Sequence, residues 1–282
     1  VLEVKMSNIE TTHKISSSIM RKLAISAWSH PKDPSIYGQL ELCVDPMIAY
    51  LHRYNETAST IITPLHFSAK VLGYCLEKVP ELNQVLIRNT LYQRKYVHLF
   101  FPVHLKSNGK VNLSGVSVQN VPEKSLAALA SDLHNQTVLL KQHNHREINR
   151  IHGIYKWCPS IFLKGLTAII DFFIYKLNIN PSRLGVPQDL FGSMLVSSIG
   201  AFGLKEGYIP LYPFSRCPIS VGVGAVFVRN DLDDDGRVEK KSYMNLNFTI
   251  DHRYLDGYQL AKAEKLLSKI FKNPNDYAFI FE

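Results

Sequence analysis

Apolar and polar positions follow two periods along this chain, and stretches of one period alternate irregularly with stretches of the other. A period of two is typical of half-buried strands, whereas apolar positions three or four residues apart are typical of amphipathic helices. Strands are predicted at residues 36–44, 84–88, 96–105 and 111–118, and near Ser193, Ser220 and Tyr243. An Asn108-Gly109 turn is predicted to join the third and fourth of these strands into a hairpin.

Proline and polar residues mark where the predicted helices begin. Asp45-Pro46 supplies an N-cap residue and a first-turn proline for a helix that extends through Arg53, and Thr63-Pro64 repeats this pattern. Pro122 opens a third helix, and a terminal helix follows from Tyr258. The apolar stripes of the second and third helices consist of Leu65, Ala69, Leu72, Leu76 and Val79, and of Leu126, Leu129, Leu133 and Leu140.

Strands and helices mixed in this way predict an α/β fold, a two-layer sandwich built on a mixed β-sheet. No predicted strand is followed by a Gly-x-Gly-x-x-Gly helix start, so a Rossmann-type nucleotide-binding fold is excluded. A length of 282 residues, of which 46% are hydrophobic, suffices for one large core. We therefore expect a single domain over residues 1–282, with an apolar helical insertion at 145–190.

The strand near Tyr243 ends in the sequence Asp251-His252-Arg253-Tyr254-Leu255-Asp256-Gly257. One face of this strand carries Met244, Leu246, Phe248 and Ile250, and the other carries Asn245, Asn247, Thr249 and Asp251. The period of two places His252 on the apolar side, at the edge of the core or of a pocket. A neutral imidazole there is able to accept a proton, as a general base requires. The alternative is a core histidine with satisfied hydrogen bonds beside a tight Asp-Gly turn.

The His-x-x-x-Asp-Gly spacing resembles the C-terminal signature of the CoA-dependent acyltransferase superfamily, which includes chloramphenicol acetyltransferase. The flanking Asp251 and Arg253 match the Asp-His-Arg form of the 2-oxoacid dehydrogenase acyltransferases. Three further stretches resemble that branch: an apolar strand, a serine and a Gly-rich turn at 196–203, a following strand at 218–225, and a helix end at 78–83. The resemblance extends, with gaps, over residues 21–274.

The resemblance implies a chloramphenicol-acetyltransferase-like fold and acyl transfer that uses a coenzyme A thioester as substrate. It implies that His252 is the general base and that the hydroxyl of Ser197 stabilises the oxyanion. Ser198 is the rival, because strand alternation directs only one of the two serines into the site. Asp256 would orient the histidine through a salt bridge, for which Arg21 is a candidate partner by position. Active sites of this family lie between subunits of trimers, which implies a homotrimer.

No lipoyl domain, flexible Ala/Pro linker or peripheral-subunit-binding domain is recognisable ahead of the predicted catalytic part. We therefore expect a free-standing catalytic domain without its own lipoyl group. Its acyl acceptor would be CoA, a separate lipoyl or acyl-carrier protein, or a small alcohol, amine or thiol. Two alternatives remain: a small-molecule O-acetyltransferase of the chloramphenicol type, and a catalytically silent oligomeric interaction protein.

The net charge of +8 suits an anionic partner such as acyl-CoA, although the basic residues form only short groups, such as the one at 88–95. No nucleic-acid-binding module is recognisable, so nucleic acid is not an expected partner. No uncharged apolar run reaches the ~20 residues of a transmembrane helix, and no signal peptide is recognisable, so a cytoplasmic protein is expected. Cys43, Cys75, Cys158 and Cys217 are scattered singly and are expected to be reduced, mostly buried thiols.

Two other stretches carry residue types that bind metals. Asp231-Leu232-Asp233-Asp234-Asp235-Gly236 fits the opening of a calcium-binding loop, but Ser242 stands where a bidentate Glu is required and both flanks are predicted strands. A solvated hairpin loop is therefore predicted. His143, His145 and His152 cluster without a carboxylate or cysteine to complete a zinc site, which predicts a solvated helix end. No metal is expected.

Residues 157–179 form the most apolar of the predicted helices. Its polar residues, Ser160, Lys164, Thr167 and Asp171, fall in one narrow stripe. Large apolar side chains cover the rest: Ile161, Phe162, Leu163, Leu166, Ile169, Ile170, Phe172, Phe173, Ile174 and Leu177. We expect burial in the core or in a subunit contact, because this much apolar surface is unfavourable in water. A cover over the acyl chain is an alternative, and contact with a membrane is not expected.

Overall fold

The computed structural model describes residues 9–19, 21–22, 25, 33–58, 60–107, 110–157, 165, 168–180, 182, 188–232 and 235–282. The strands are β1 (Thr11–Lys14), β2 (Ser35–Cys43), β3 (Gln84–Ile87), β4 (Thr90–Arg94), β5 (Leu99–Ser107), β6 (Lys110–Val118), β7 (Met194–Ser198), β8 (Ile219–Val223), β9 (Phe227–Leu232) and β10 (Val238–Asp251). The α-helices are α1 (Asp45–Thr57), α2 (Pro64–Lys78), α3 (Leu126–Trp157) and α4 (Gly257–Lys272).

Seven of these strands form one mixed sheet in the order β2-β10-β8-β7-β5-β6, with β9 paired to β10. The ladders between β5 and β7 and between β7 and β8 are parallel, and the other ladders of this sheet are antiparallel. A smaller antiparallel sheet has the order β1-β4-β3. The mixed α/β fold predicted from the sequence is confirmed.

Helices cover one face of the large sheet, where the alternating strands direct their apolar side chains. The helix layer contributes Met47 and Leu51 of α1, Phe67 and Leu72 of α2, Leu126 and Leu129 of α3, and Leu267 and Phe271 of α4. Val196, Val221 and Leu246 are among the sheet residues of the same cluster, and each is fully buried. Because this removes a continuous apolar surface from water, packing between the two layers supplies much of the stability.

The chain that follows β7 crosses the opposite face of the sheet. A Cβ atom at Gly222 would lie 2.8 Å from the carbonyl oxygen of Gly207, so only glycine allows this approach. The crossing chain helps to bury the polar face of β10, where Asn245 and Asn247 are 2% and 0% exposed. The Nδ2 group of Asn247 donates a hydrogen bond to the carbonyl oxygen of Gly222 at 3.3 Å. This face is therefore polar, as the alternation predicts, and also buried.

The Thr63-Pro64 start is confirmed for α2, whereas the other two predicted helix starts are shifted. The N-cap of α1 is Val44, and the Asp45 carboxylate instead accepts a hydrogen bond from the backbone N–H of Ser242. Pro122 belongs to a 3₁₀ turn, and α3 begins after Ser125, whose hydroxyl oxygen accepts the N–H of Ala128. The first turn of α1 has no side-chain cap, whereas the Ser125 hydroxyl caps the first turn of α3.

Strand β4 was missed, because the turn before it lacks the usual glycine. Arg88 and Asn89 both have positive φ angles, 51° and 59°, and Ile87 pairs directly with Thr90. Two central residues with positive φ are typical of a tight hairpin turn, for which Asn-Gly is the usual sequence. The predicted Asn108-Gly109 turn lies outside the described residues, but β5 and β6 on either side of it pair antiparallel.

The expected hairpin at the acidic loop is confirmed, since β9 and β10 pair antiparallel with Leu232 opposite Val238. The carboxylate of Asp231 accepts a hydrogen bond from the hydroxyl of Tyr243. Over the ranges that the structure describes, no group of three or more His, Cys, Asp or Glu side chains is placed to hold a metal ion. His143, His145 and His152 lie in α3, but their side chains are outside the described part of the chain.

The cysteine prediction is correct for Cys75 and Cys217, which are buried free thiols. It is wrong for Cys43, which is exposed because it lies at the end of the edge strand β2, on the face away from the helices. Cys158 lies outside the described residues. In the described part of the chain, no helix is both long enough and apolar enough to cross a membrane.

In the described part of the 157–179 segment, burial of the apolar side in the core of its own chain is wrong, whereas burial in a subunit contact stays a prediction. The segment ends in a π-helical turn at Phe172–Lys176, and its polar side faces the protein. The Asp171 carboxylate accepts hydrogen bonds from Arg216 at 2.7 Å, and Asn178 exchanges two hydrogen bonds with the backbone of Ile9. Five large apolar side chains are consequently 38% to 57% exposed: Ile169, Phe172, Phe173, Leu177 and Ile179. Ser160, Lys164 and Thr167 lie outside the described residues.

Candidate active site

His252 lies in the short connection between the last strand and the last helix. Strand β10 ends at Asp251 and α4 begins at Gly257, so the connection is five residues long. The backbone N–H of His252 donates to the carbonyl oxygen of Pro34 at 2.9 Å, just before β2. The side chain is half-buried. Because His252 follows the end of the strand, the turn and not the strand alternation sets its direction.

The imidazole of His252 is held by a hydrogen bond to the main chain of its own loop. Its Nδ1 atom lies 2.7 Å from the carbonyl oxygen of Leu255. A carbonyl oxygen only accepts hydrogen bonds, so Nδ1 must carry the proton in this contact. In the neutral ring the lone pair is then on Nε2, which becomes the nitrogen able to accept a proton from a substrate. The geometry thus selects the tautomer that a general base requires.

Arg21 joins the two ends of this connection. Its Nη1 group donates to the carbonyl oxygen of His252 at 2.9 Å, and Nη2 lies 3.1 Å from Oδ2 of Asp256. Burial lowers the pKa of Arg21, and the neighbouring carboxylates of Asp256 and Asp251 oppose that shift. The prediction that Arg21 is the partner of Asp256 is confirmed. The ion pair fixes the backbone that carries the imidazole.

Asp256 has a second structural role as the N-cap of α4. Its Oδ1 atom accepts the backbone N–H of Tyr258 at 3.1 Å, and the side chain of Gln259 accepts the N–H of Asp256 at 3.0 Å. This reciprocal arrangement is a capping box, which stabilises the first turn of a helix. One carboxylate therefore binds both the helix and the arginine that holds the histidine.

Asp251 and Arg253 form a second ion pair on either side of the histidine. The Nη2 and Nε groups of Arg253 lie 2.6 Å and 3.1 Å from Oδ2 of Asp251. The hydrogen bond to Asp251 raises the pKa of Arg253. Tyr254, which is 3% exposed, accepts the backbone N–H of Leu86 on its hydroxyl oxygen at 3.3 Å. Sequence reasoning named Asp251 and Arg253 only as a family pattern and missed Tyr254, whose position next to the histidine was the available indication.

Ser197 and Ser198 end strand β7 and face opposite sides of the sheet. Ser198 is level with Val223 and Leu246, which face the helix layer. Ser197 is level with Gly222, Asn247 and Gln39, which form a polar row on the other face. Strand alternation therefore separates the two serines, and it places Ser197 beside polar groups.

Ser197 and His252 of one chain are not brought together. Two strand spacings of ~4.8 Å separate β7 from β10, and four residues at ~3.4 Å each separate the level of Ser197 from Asp251. The Cα atoms of Ser197 and Asp251, the residue before His252, are therefore roughly 17 Å apart. One substrate carbonyl does not contact both side chains over that distance. A site that uses both residues needs a second copy of the chain.

A family model described as 2-oxoacid dehydrogenases acyltransferase (catalytic domain) matches residues 7–149 and 185–279. A curated relative, the chloroplastic dihydrolipoyllysine-residue acetyltransferase component 5 of the pyruvate dehydrogenase complex of Arabidopsis thaliana, is 32% identical over 88 residues. This match covers 31% of the chain and only 18% of the plant protein.

Solved structures show the same fold at low sequence identity. A probable dihydrolipoamide acetyltransferase from Listeria monocytogenes has a TM-score of 0.60 at 14% identity and covers 93% of this chain and 94% of its own. The Azotobacter vinelandii dihydrolipoamide acetyltransferase has a TM-score of 0.59 at 17% identity, covering 98% and 93%. Since the family match spans most of the chain, the protein belongs to the 2-oxoacid dehydrogenase acyltransferase (catalytic domain) family and is an acyltransferase.

Proposed function

We propose that this protein transfers an acyl group between a coenzyme A thioester and a thiol or hydroxyl acceptor, with His252 as the general base. The observation that carries the proposal is the hydrogen bond from Nδ1 of His252 to the carbonyl oxygen of Leu255, at 2.7 Å. It leaves Nε2 as the proton acceptor, and the two flanking ion pairs hold the loop that carries the ring.

In the proposed reaction, Nε2 of His252 removes the proton from the acceptor as its sulfur or oxygen attacks the thioester carbonyl. A new bond to the carbonyl carbon forms and the carbonyl oxygen becomes an oxyanion. Collapse of this intermediate breaks the carbon–sulfur bond, and the CoA thiolate takes the proton back from the imidazolium. General-base catalysis of this kind typically contributes ~10²–10⁴ in rate.

The hydroxyl of Ser197 is proposed to donate a hydrogen bond to the oxyanion. Its support is the position of Ser197 in the polar row with Asn247 and Gln39, whereas Ser198 is directed towards the apolar layer. In the Azotobacter vinelandii enzyme, a serine, a histidine and an asparagine were investigated for their role in catalysis. Serine and histidine are also the residue types of Ser197 and His252, which are proposed to act here.

The roughly 17 Å between Ser197 and Asp251, the residue before His252, supports an active site shared between two copies of the chain. We therefore propose a homotrimer, as the family resemblance implies, in which the histidine loop of one subunit faces the serine of the next. The proposed acceptor is CoA, a separate lipoyl or acyl-carrier protein, or a small molecule. The chain is further proposed to be one domain with an insertion at 145–190, to need no metal, and to work in the cytoplasm.

A thioester and acceptor screen tests the proposal. The purified protein is incubated with acetyl-CoA or longer acyl-CoA together with dihydrolipoamide or a hydroxylated small molecule, and free CoA is measured by chromatography. We expect release of CoA that is lost in His252→Ala and retained in the control His52→Ala, because His52 is exposed on α1. No release above the His252→Ala background would contradict the proposal.

The same screen separates the two alternatives. Turnover with hydroxylated acceptors alone would identify the small-molecule O-acetyltransferase. A stable oligomer that turns over no thioester would identify the interaction protein, for which the exposed apolar residues at 169–179 provide a surface.

A further inference from the structure

An apolar cavity lies between the two layers of the fold, beside the edge strand β2. Its volume is about 170 Å³. The floor consists of residues of β2, β10, β8 and β7, and the roof consists of residues of α2 and α4. The lining includes Leu72, Cys75, Met194, Phe248 and Leu267, and burial raises the pKa of the Cys75 thiol to about 12, so it stays protonated. The walls are therefore uncharged and nearly free of polar groups.

Gly38 creates part of this space. It lies on the face of β2 that turns towards the helices, where it pairs with Phe248. A Cβ atom at Gly38 would meet no atom within 4 Å. Core positions of a strand normally carry a side chain that packs against the opposite layer. Glycine here leaves the space open at the sheet edge, where the exposed side chain of Glu264 lies at the rim.

We propose that this cavity is a binding site for an aliphatic chain of about six carbon atoms. A buried water needs two to four polar partners, which these walls do not supply. An apolar cavity of ~150 Å³ is large enough for a benzene-sized ligand, so a short hydrocarbon chain fits this volume. The polar end of the ligand, such as a hydroxyl group, lies at the rim beside Glu264.

The bound chain contacts residues on either side of the histidine connection. Ile250, two residues before His252, and Leu260, one helical turn after Asp256, both line the cavity. The site is nevertheless separate from the proposed chemistry, because it lies on the helix side of the sheet and Ser197 faces the other side. Its occupation does not depend on acyl transfer, so it is tested without an activity assay.

Methionine methyl groups provide a test with internal controls. Met194 lines the cavity, whereas Met47 and Met244 are buried in the same core and do not line it. The full chain is labelled with ¹³C at the methionine methyl groups and titrated with 1-hexanol. We expect a saturable shift of the Met194 methyl signal, with a dissociation constant of about a millimolar, while Met47 and Met244 remain nearly unchanged.

Substitutions at Gly38 give a matched pair of variants. Gly38→Leu fills the cavity and should weaken hexanol binding at least about tenfold, whereas Gly38→Ala adds one methyl group and should retain binding. Ala263→Leu fills the cavity from α4 and replaces Gly38→Leu if that variant does not fold. The proposal is overturned if Met194 shows no saturable shift, if all three methyl signals move together, or if both filling variants bind hexanol as the wild type does.

Discussion

Polar contacts attach both the histidine connection at 251–257 and the segment at 168–179 to the rest of the protein. The two regions differ in whether their large apolar side chains are buried or exposed. In the connection, the two ion pairs and the capping box surround a half-buried imidazole, and Tyr254 and Leu255 are buried beneath it. In the segment, Asp171, Tyr175 and Asn178 bind the protein, while large apolar side chains are directed outward.

The two regions differ in whether contacts within a single chain satisfy their side chains. The connection is complete in its own contacts, because its carboxylates, its guanidinium groups and the imidazole Nδ1 have partners within the chain. The segment is incomplete, because a contiguous group of exposed apolar side chains usually marks a contact surface. The family model matches the connection and leaves out residues 150–184. The exposed apolar segment therefore lies outside the part of the chain that the family model matches.

The largest expected effect comes from removing the imidazole. His252→Ala should lower kcat by ~10²–10⁴ and leave the melting temperature nearly unchanged, because the ion pairs that hold the loop involve other side chains. Steady-state kinetics and thermal melting measure the two quantities. A variant that retains more than about a tenth of the wild-type kcat would show that His252 is not the base.

The second prediction compares the two serines at the end of β7. Ser197→Ala should lower kcat by ~10²–10³ with little change in KM, because a hydrogen bond to the oxyanion forms only in the transition state. Ser198→Ala should have little effect, since Ser198 is on the helix side of the sheet. The reverse result would assign the oxyanion to Ser198, and equal losses would show that neither side chain has a distinct role.

The sequence predicted the connection well because its contacts are local. His252, Asp256 and Gly257 lie within six residues, so the motif is recognisable in the sequence, although the turn and not the alternation of the strand directs His252. Contacts with residues distant in the sequence were harder to predict. Arg21 was named by position alone. The hydrogen bonds of His252 with Pro34 and of Tyr254 with Leu86 were not predicted. Such contacts depend on strand order, which the sequence does not reveal directly.

For the 157–179 segment, the sequence predicted the helix but not its orientation. Its composition predicted a helix with a narrow polar stripe, but a stripe alone does not say which side faces the protein. Burial in the core or in a subunit contact was the expectation, and in the single chain Arg216 and Ile9 bind the polar side, so the apolar side faces away from the core. The contacts of the Asp171 carboxylate with Arg216 and of the Asn178 side-chain amide with the backbone of Ile9 are directional, and the hydrophobic effect is not. The orientation therefore depends on where distant partners are placed.

The third prediction separates the two roles of Asp256. Asp256→Asn should weaken the pair with Arg21 but keep the cap of α4, because Asn is as good an N-cap as Asp. We expect a loss of about 1 kcal/mol, a fall in melting temperature of about 2–4 °C, and a roughly tenfold loss of kcat from the less well-placed imidazole. Asp256→Ala, which also removes the cap, should cost about 1 kcal/mol more. Equal melting temperatures of Asp256→Asn and Asp256→Ala would show that the N-cap contributes nothing to the stability of the fold.

The smallest expected effect on the single chain is at the exposed surface of the 168–179 segment. Phe173 is 48% exposed, so Phe173→Ser should cost the fold less than about 1 kcal/mol and leave kcat unchanged. Tyr175→Ala, in the same turn, should cost ~3–5 kcal/mol, because Tyr175 is 7% exposed and its burial among apolar groups holds the segment in place.

The oligomer size and the KM values of Phe173→Ser show whether the exposed apolar side chains of the segment have a function. If the exposed side chains form a subunit contact, light scattering should show a smaller species at concentrations where the wild type is associated, since the loss of one buried aromatic side chain weakens such a contact markedly. If they cover the acyl chain, the oligomer should remain and KM should rise selectively for long acyl-CoA substrates. A variant with wild-type mass and wild-type KM at every chain length would show that these side chains remain in water. In that case the segment would be an exception to the general avoidance of large exposed apolar patches, and the difference from the histidine connection would carry no functional meaning.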